Sequence, residues 1–406
     1  MTEKNQDNYR WIILGVVTIG QASMYFGGLS IPPLAGYLTE ALTLSKTEFG
    51  AIMSILFLGA AFSSFPSGRL SDIFGVRNLL SLSMIVMGLL VALLFLVSSY
   101  TYLVIIGFTL GLAYGTANPA TNKAVSEWFH RKNLGTAMSI KQTSVPLGGL
   151  SAAILFPQLA LHFGWRNAFL IGGFIIFLSA CIPFIFYRGA LDSPGMVSIP
   201  TPLSKESTTY KNILTNKDII LLSVIATIFA VVQITVVSYL ILYLQEVALL
   251  SVGLAGLYLG LANASGILGR ISWGIVSDRI FGGKRRIVLQ IIGCISGLFV
   301  VILSLYPYTN LGRAFLVLVI LLLGFTSLGW NGIYLTYLVE LAGTSMAGTA
   351  TGMSLSIVFL GNVFGPLIFG AIVDLTGDYT HAWQSIAILM ACCFLTLFLL
   401  KEKIRQ

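Results

Sequence analysis

Twelve runs of about 20 apolar residues, the length that crosses a hydrocarbon layer of roughly 30 Å at 1.5 Å per residue, leave this chain few folds to choose from. They fall at 11–36, 48–69, 78–98, 101–126, 136–159 and 167–187, and again at 218–245, 252–275, 287–306, 313–340, 348–373 and 381–400. Backbone polar groups in hydrocarbon must be satisfied within the segment, which helices achieve. Barrel strands would read as runs of roughly 10 residues alternating polar and apolar, and no such alternation is visible. A hydrophobic content of 56% with 9% charged residues points the same way, since soluble domains carry about 25% charged residues. The expectation is an all-α membrane protein of twelve transmembrane helices in two pseudo-symmetric six-helix bundles.

The duplication is written in one short stretch. Gly68–Arg77 reads G-R-L-S-D-I-F-G-V-R, and from Gly274 the chain reads G-I-V-S-D-R-I-F-G-G-K-R. Gly68 and Asp72 thus return as Gly274 and Asp278, 206 residues later in a chain of 406. The copies differ where Ile275 replaces Arg69. Each falls in the turn between the second and third spans of its half. The halves are 1–187 and 218–406, joined by a polar loop at 188–217 that carries D-S-P-G and S-K-E-S-T-T. Glycines here let the chain turn sharply, while Asp72 offers a carboxylate to Arg77 or to a helix N-terminus. Such contacts can latch one conformation.

Lysine and arginine placement sets the orientation. Most of them, including both terminal clusters and those of the 188–217 loop, fall on one face, whereas the other receives only Lys46, Arg166 and Arg313. The positive-inside rule then puts both termini and the loop in the cytoplasm, in a bacterial-type inner membrane. The polar start, Met1–Arg10, leads into a full-length span without a small-residue cleavage site, so it reads as a retained helix. The net charge of +8 is spread singly between spans, which argues against a nucleic-acid partner. Cys181, Cys294, Cys392 and Cys393 lie within spans and read as small buried hydrophobes. His130, His162 and His381 fall in loops without metal-ligand spacing, and no nucleotide motif or hydrolytic triad appears. No cofactor and no enzymatic activity are expected.

Three cations remain inside the spans: Lys123, Lys141 and Arg270. An ionisable group at membrane depth costs about 2.5–3.5 kcal/mol or more, so it faces a cavity, a partner or a solute. No carboxylate lies equally deep; Glu127 and Glu340 sit at helix ends. The imbalance selects a small anionic solute. Each cation also has a plainer explanation. Lys123 can pair with Glu127 at i, i+4, Lys141 can snorkel, and Arg270 can cap a helix or pair with Asp278. Arginine's planar fork suits a carboxylate, which puts Arg270 first, Lys141 second and Lys123 third. Tyr25, Asn118, Asn122, Gln233, Asn263, Asn331 and Tyr334 are polar residues at mid-span that complete the candidate cavity.

Two six-span halves with the doubled turn motif make the chain similar, over essentially its whole length, to the major facilitator superfamily. That resemblance implies that the turn motif helps hold the outward-facing state, with Asp72 and Asp278 as its acidic members and Arg77, Arg279 and Arg285 as its basic ones, and that the first, fourth, seventh and tenth helices line the pathway. Arg270 in the eighth helix resembles the arginine of monocarboxylate and oxalate-type carriers. Proton-coupled carriers place an aspartate one turn earlier, where this chain has Gly266. Anion exchange, or proton coupling through Glu127, Glu340 or a lysine, stays open. Thr143–Gly149, T-S-V-P-L-G-G, loosely resembles the fifth-helix motif of exporters and antiporters, with Val145 where that motif has glycine.

The expected function is secondary active transport of a mono- or dicarboxylate by rocker-switch alternating access, as proton symport or anion exchange, by a monomer in the lipid bilayer. The alternatives are an exporter of amphiphilic drugs or metabolites and a non-transporting sensor on the same scaffold.

Overall fold

The computed structural model describes residues 3–129, 131–188, 216–309, 311–342 and 347–400. Most of the 188–217 loop, His130 and the side chains at Gly68 and Asp72 lie outside the described residues. Helices are the only regular elements among the described residues. Twelve helical stretches are long and apolar enough to cross a membrane. Spans 1 to 6 are Tyr9–Leu42, Lys46–Ser64, Ile73–Leu96, Tyr100–Trp128, Ala137–Phe163 and Trp165–Phe186. Spans 7 to 12 are Lys217–Glu246, Val252–Arg279, Arg285–Tyr308, Arg313–Ala342, Ala350–Thr376 and Tyr379–Leu399. The largest difference from the expected bounds is at span 1, which runs on to Leu42 through Thr39 and Glu40. Polar residues end an apolar run but do not end a helix whose hydrogen bonds continue.

Several spans are broken. Span 1 is interrupted between Gly28 and Pro32, span 4 at Thr116, span 5 at Thr143 and span 10 between Ser327 and Asn331. Pro146 sits in the first turn of the second half of span 5, where its missing N–H cannot bond back to Gln142. Spans 2 and 3 are joined by a helical turn broken only at Gly75, with φ 75° and ψ 152°, a conformation open to glycine. The second copy turns at Gly282 and Gly283, with φ 58° and 82°.

By their packing the helices form two compact units, Met1–Thr43 with Ile55–Thr201, and Leu44–Ser54 with Pro202–Gln406. In unit 1, spans 1 and 5, 2 and 4, and 3 and 6 pack backbone to backbone at glycines. A Cβ on Gly148 would come within 2.5 Å of Ala22 O, one on Gly111 within 2.0 Å of Leu56 O, and one on Gly88 within 2.7 Å of Gly173 O. Unit 2 repeats the scheme. A Cβ on Gly361 of span 11 would meet Thr227 O of span 7 at 2.5 Å, and one on Gly269 of span 8 would meet Phe325 O of span 10 at 2.1 Å. Spans 9 and 12 complete it, with Gly297 against Met390. Small residues carry this packing because lipid offers no hydrophobic drive between helices. Within unit 2, the Leu44–Ser54 turns dock on spans 7 and 11: the Lys46 and Thr47 amides donate to Asp374, and Tyr239 Oη donates to Lys46 O at 2.7 Å.

The cysteines differ from expectation. Only Cys393 is buried, while Cys181, Cys294 and Cys392 are exposed on helix surfaces. A helix face turned to hydrocarbon needs no burial inside the protein, so an apolar setting in the sequence does not imply a core position.

Asp378 heads span 12, its carboxylate accepting from the Thr380 amide at 3.0 Å and from Tyr308 Oη at 3.0 Å. Partial burial pushes its pKa up, but these hydrogen bonds and the nearby His381 outweigh it and hold the carboxyl below its ordinary value. The cap therefore contributes above the unfolded carboxylate value of about 3.9 and is lost as pH falls through the lower folded value. Asp378→Ala should cost about 1 kcal/mol near neutrality. In thermal unfolding of the purified protein, that deficit should shrink as the pH drops below the unfolded carboxylate value of about 3.9.

Candidate functional site

Unit 1 gathers its polar residues at two helix breaks. Asn118 follows the break in span 4, and Lys141 precedes the break in span 5. Asn118 and Asn122 lie one turn apart and so share a face of span 4. Lys141 is wholly buried, and its Nζ donates to Asn118 Oδ1 at 3.3 Å and to Asn122 Oδ1. Around this contact the amides are fixed by further bonds. Gln21 Nε2 donates to Asn118 Oδ1 at 2.8 Å, Asn118 Nδ2 donates to Tyr25 Oη at 2.7 Å, and Thr121 Oγ1 donates to Gln21 Oε1 at 2.8 Å. Tyr25 is held edge-on against Tyr114, ring centres 4.7 Å apart. Neutral oxygens thus face the Lys141 nitrogen. No carboxylate among the described residues lies within ion-pair distance of Lys141.

Lys123 does not join this group. Its Nζ donates to Ser71 O at 2.9 Å and lies 3.8 Å from Glu127, which also accepts from Tyr187 Oη.

In unit 2 the polar residues gather at the break in span 10. Trp330 Nε1 and Asn331 Nδ2 both donate to Gln233 Oε1 of span 7, at 2.9 and 3.1 Å, and Trp330 stacks on Phe229. Tyr334 Oη shares a hydrogen bond with Ser354 Oγ at 2.6 Å, and Ser354 with Ser223. Asn263 turns back on its own helix, Nδ2 donating to Leu259 O. Arg270 is half-buried, and its Nε donates to Leu328 O at 3.1 Å, the carbonyl just past the first half of span 10. Gly266 packs against that same residue: a Cβ there would come within 2.6 Å of Leu328 Cβ. An aspartate at this position would collide with span 10, so the glycine serves the packing of spans 8 and 10.

Of the turn-motif residues, Arg285 is the most deeply placed. It is 5% exposed, 2.7 Å from Asp278 and 3.3 Å from Glu340, and donates to Ser277 Oγ. Arg77 lies over the Phe184 ring at 4.6 Å, and Arg279 is exposed. Gly274 has open space where a Cβ would stand.

Sequence reading passed over Gln21, Thr121 and Trp330. The signal for Gln21 was its place one turn before Tyr25 on the same face of span 1.

The sequence pattern of the Major Facilitator Superfamily matches residues 17–366. The chain is 23% identical over 391 residues to a probable sulfoacetate transporter of Cupriavidus necator, covering 93% of this chain and 90% of that protein. It is 24% identical over 367 residues to a hexuronate transporter of Bacillus subtilis, covering 86% and 84%. Among solved structures, a bacterial homologue of the human lysosomal transporter Spinster, inward-facing and occupied, superposes with a TM-score of 0.77 over 96% of each chain at 17% identity, a likeness of fold. With twelve membrane helices, a packing scheme repeated in its two units and the family pattern across most of its length, the chain belongs to the major facilitator superfamily of membrane transporters.

Proposed function

We propose that the protein is a secondary active transporter of a small organic anion, a mono- or dicarboxylate or a similar acid, working by alternating access in an inner membrane with both termini cytoplasmic. One observation carries the reading: the fully buried Lys141 faces amide oxygens of Asn118 and Asn122, with no carboxylate to offset its charge. An ammonium in that setting is costly, and an anionic solute supplies the missing charge. Lys141 therefore stands ahead of Arg270, whose Nε is committed to a backbone carbonyl. Asn118, Asn122 and Tyr25 orient the solute. The sulfoacetate and hexuronate of the relatives' names are small organic acids, which supports the same class of solute.

A ligand that binds the folded state raises the melting temperature by mass action. Purified protein screened against sulfoacetate, glucuronate, pyruvate and oxalate should melt higher with at least one of them. At 100 times its Kd the ligand adds about 2.7 kcal/mol of stability. Neutral sugars and organic cations should leave the melting temperature unchanged. A response to organic cations alone would sink the reading.

A further inference from the structure

Transport against a gradient needs a coupling group, and among the described residues no carboxylate lies within ion-pair distance of Lys141. The helix bearing Lys141 packs against span 1, span 4 and the second half of span 5. From span 4 the charged groups are Lys123 and Glu127, which pair with each other, Glu127 also accepting from Tyr187. From span 1 they are Tyr9, whose hydroxyl donates to Phe186 O, Arg10, whose guanidinium lies over Trp11 and Phe129, the Tyr25 hydroxyl, bonded to Asn118, and, at the far end of the span, Tyr37 and Glu40. From the second half of span 5 there is only His162, at its far end. The side chains of Arg131 and Lys132, on the helix of Lys141 itself, lie outside the described residues. Lys141 is thus the titratable group at the centre of the site, sealed from water, with two neutral amide oxygens as its partners.

We propose that Lys141 is itself the coupling group, taking up a proton together with the anion and releasing both on the other side of the membrane. The proposal rests on the reading of Lys141 as the anion's anchor. An amine sealed among neutral groups bears the penalty of an uncompensated charge if it is protonated alone, and an anion beside it removes that penalty. Binding of the two is therefore linked, each raising the affinity for the other by the same factor. On loading, the Nζ lone pair forms an N–H bond to a proton from water, and the ammonium pairs with the anion. On release the N–H bond breaks, the proton returns to water and the neutral amine keeps its contacts with Asn118 and Asn122. The cycle with a monoanion moves one proton and one negative charge together, hence no net charge. The carboxylate that proton-coupled carriers place one turn before the span 8 arginine is then not required, in keeping with Gly266 packed on Leu328.

The test counts protons. Purified wild-type protein in weakly buffered detergent with a pH-sensitive dye is titrated with sulfoacetate, glucuronate, pyruvate and oxalate. At a pH where the empty lysine is neutral, linkage predicts about one proton taken up per anion bound. Arginine cannot release its proton at these pH values. Lys141→Arg should therefore bind the anion more weakly and take up no proton, and in vesicles a proton gradient should no longer drive its accumulation. Should Lys141→Arg fail to fold, Asn122→Asp gives the lysine a resident counter-charge and should lower both proton uptake and anion affinity at least tenfold. Anion binding by the wild type without proton uptake at any pH from 5 to 9 overturns the proposal while leaving the anion reading intact. Undiminished proton uptake by either variant that folds overturns it as well. If Lys141→Gln binds the anion at native affinity, the underlying reading fails instead.

Discussion

Lys141→Gln is expected to lower anion transport by one to two orders of magnitude or more while the protein folds and inserts normally. A hydrogen bond to a charged group contributes about 1.5–3 kcal/mol, and each 1.36 kcal/mol is a factor of ten in rate or affinity. The same substitution removes a buried ionisable group with no carboxylate beside it among the described residues, and glutamine can still donate its amide hydrogens to Asn118 and Asn122. The melting temperature should consequently stay level or rise, which separates a functional loss from a folding defect. Lys123→Gln makes the contrast. Lys123 is half-buried and paired with Glu127 at 3.8 Å, so its loss should change transport severalfold at most. Uptake into proteoliposomes, with the melting temperature of each variant alongside, checks both. Native rates in Lys141→Gln would remove this residue from the site.

Gly111→Leu should abolish the folded protein. A Cβ at Gly111 would stand 2.0 Å from Leu56 O, at Gly115 2.2 Å from Ala60 O, and at Gly59 2.3 Å from Phe108 O. Spans 2 and 4 therefore touch along a stripe of glycines, with backbone rather than flexible side chain on the opposite wall. Overpacking a core usually costs about 1–3 kcal/mol when side chains can yield. Here a carbonyl of a neighbouring helix must move, so the cost should exceed that range. Fluorescence-detected size exclusion should show aggregate in place of a monodisperse peak. Gly15→Ala is the control, because nothing lies within 4 Å of a Cβ there. It should be neutral or stabilising by roughly 0.5–1 kcal/mol, the helix preference of alanine over glycine. A monodisperse, heat-stable Gly111→Leu would mean that spans 2 and 4 are not in backbone contact.

Legibility in the sequence varied with the kind of feature. The spans were readable because crossing a membrane demands a run of about 20 apolar residues, a property of consecutive residues. Their ends were less so: span 1 continues helically through Thr39 and Glu40, where the apolar run had stopped. The break between Ser327 and Asn331 carries no proline and follows from how the halves of span 10 pack, whereas the break at Thr116 is followed by Pro119, whose missing N–H cannot bond back to Gly115. Burial was the least legible. Three of the four cysteines in apolar runs proved exposed, whereas Gln21 and Thr121 proved fully buried, because a span's composition does not say which of its faces meets protein.

The sequence by itself determined the membrane class, the two copies of the turn motif and the excess of buried cations over buried carboxylates. All three are sums or repeats along the chain and need no knowledge of which helix face meets which. Only the tertiary structure shows what Lys123, Lys141 and Arg270 each touch. Each had both a bland and a functional partner within reach along the sequence, and the choice depends on how each helix is rotated about its axis. That rotation is set by glycine contacts between spans 1 and 5, 2 and 4, and 8 and 10. It turns Arg270 to a carbonyl, Lys123 to Glu127 and Ser71, and Lys141 to two asparagines.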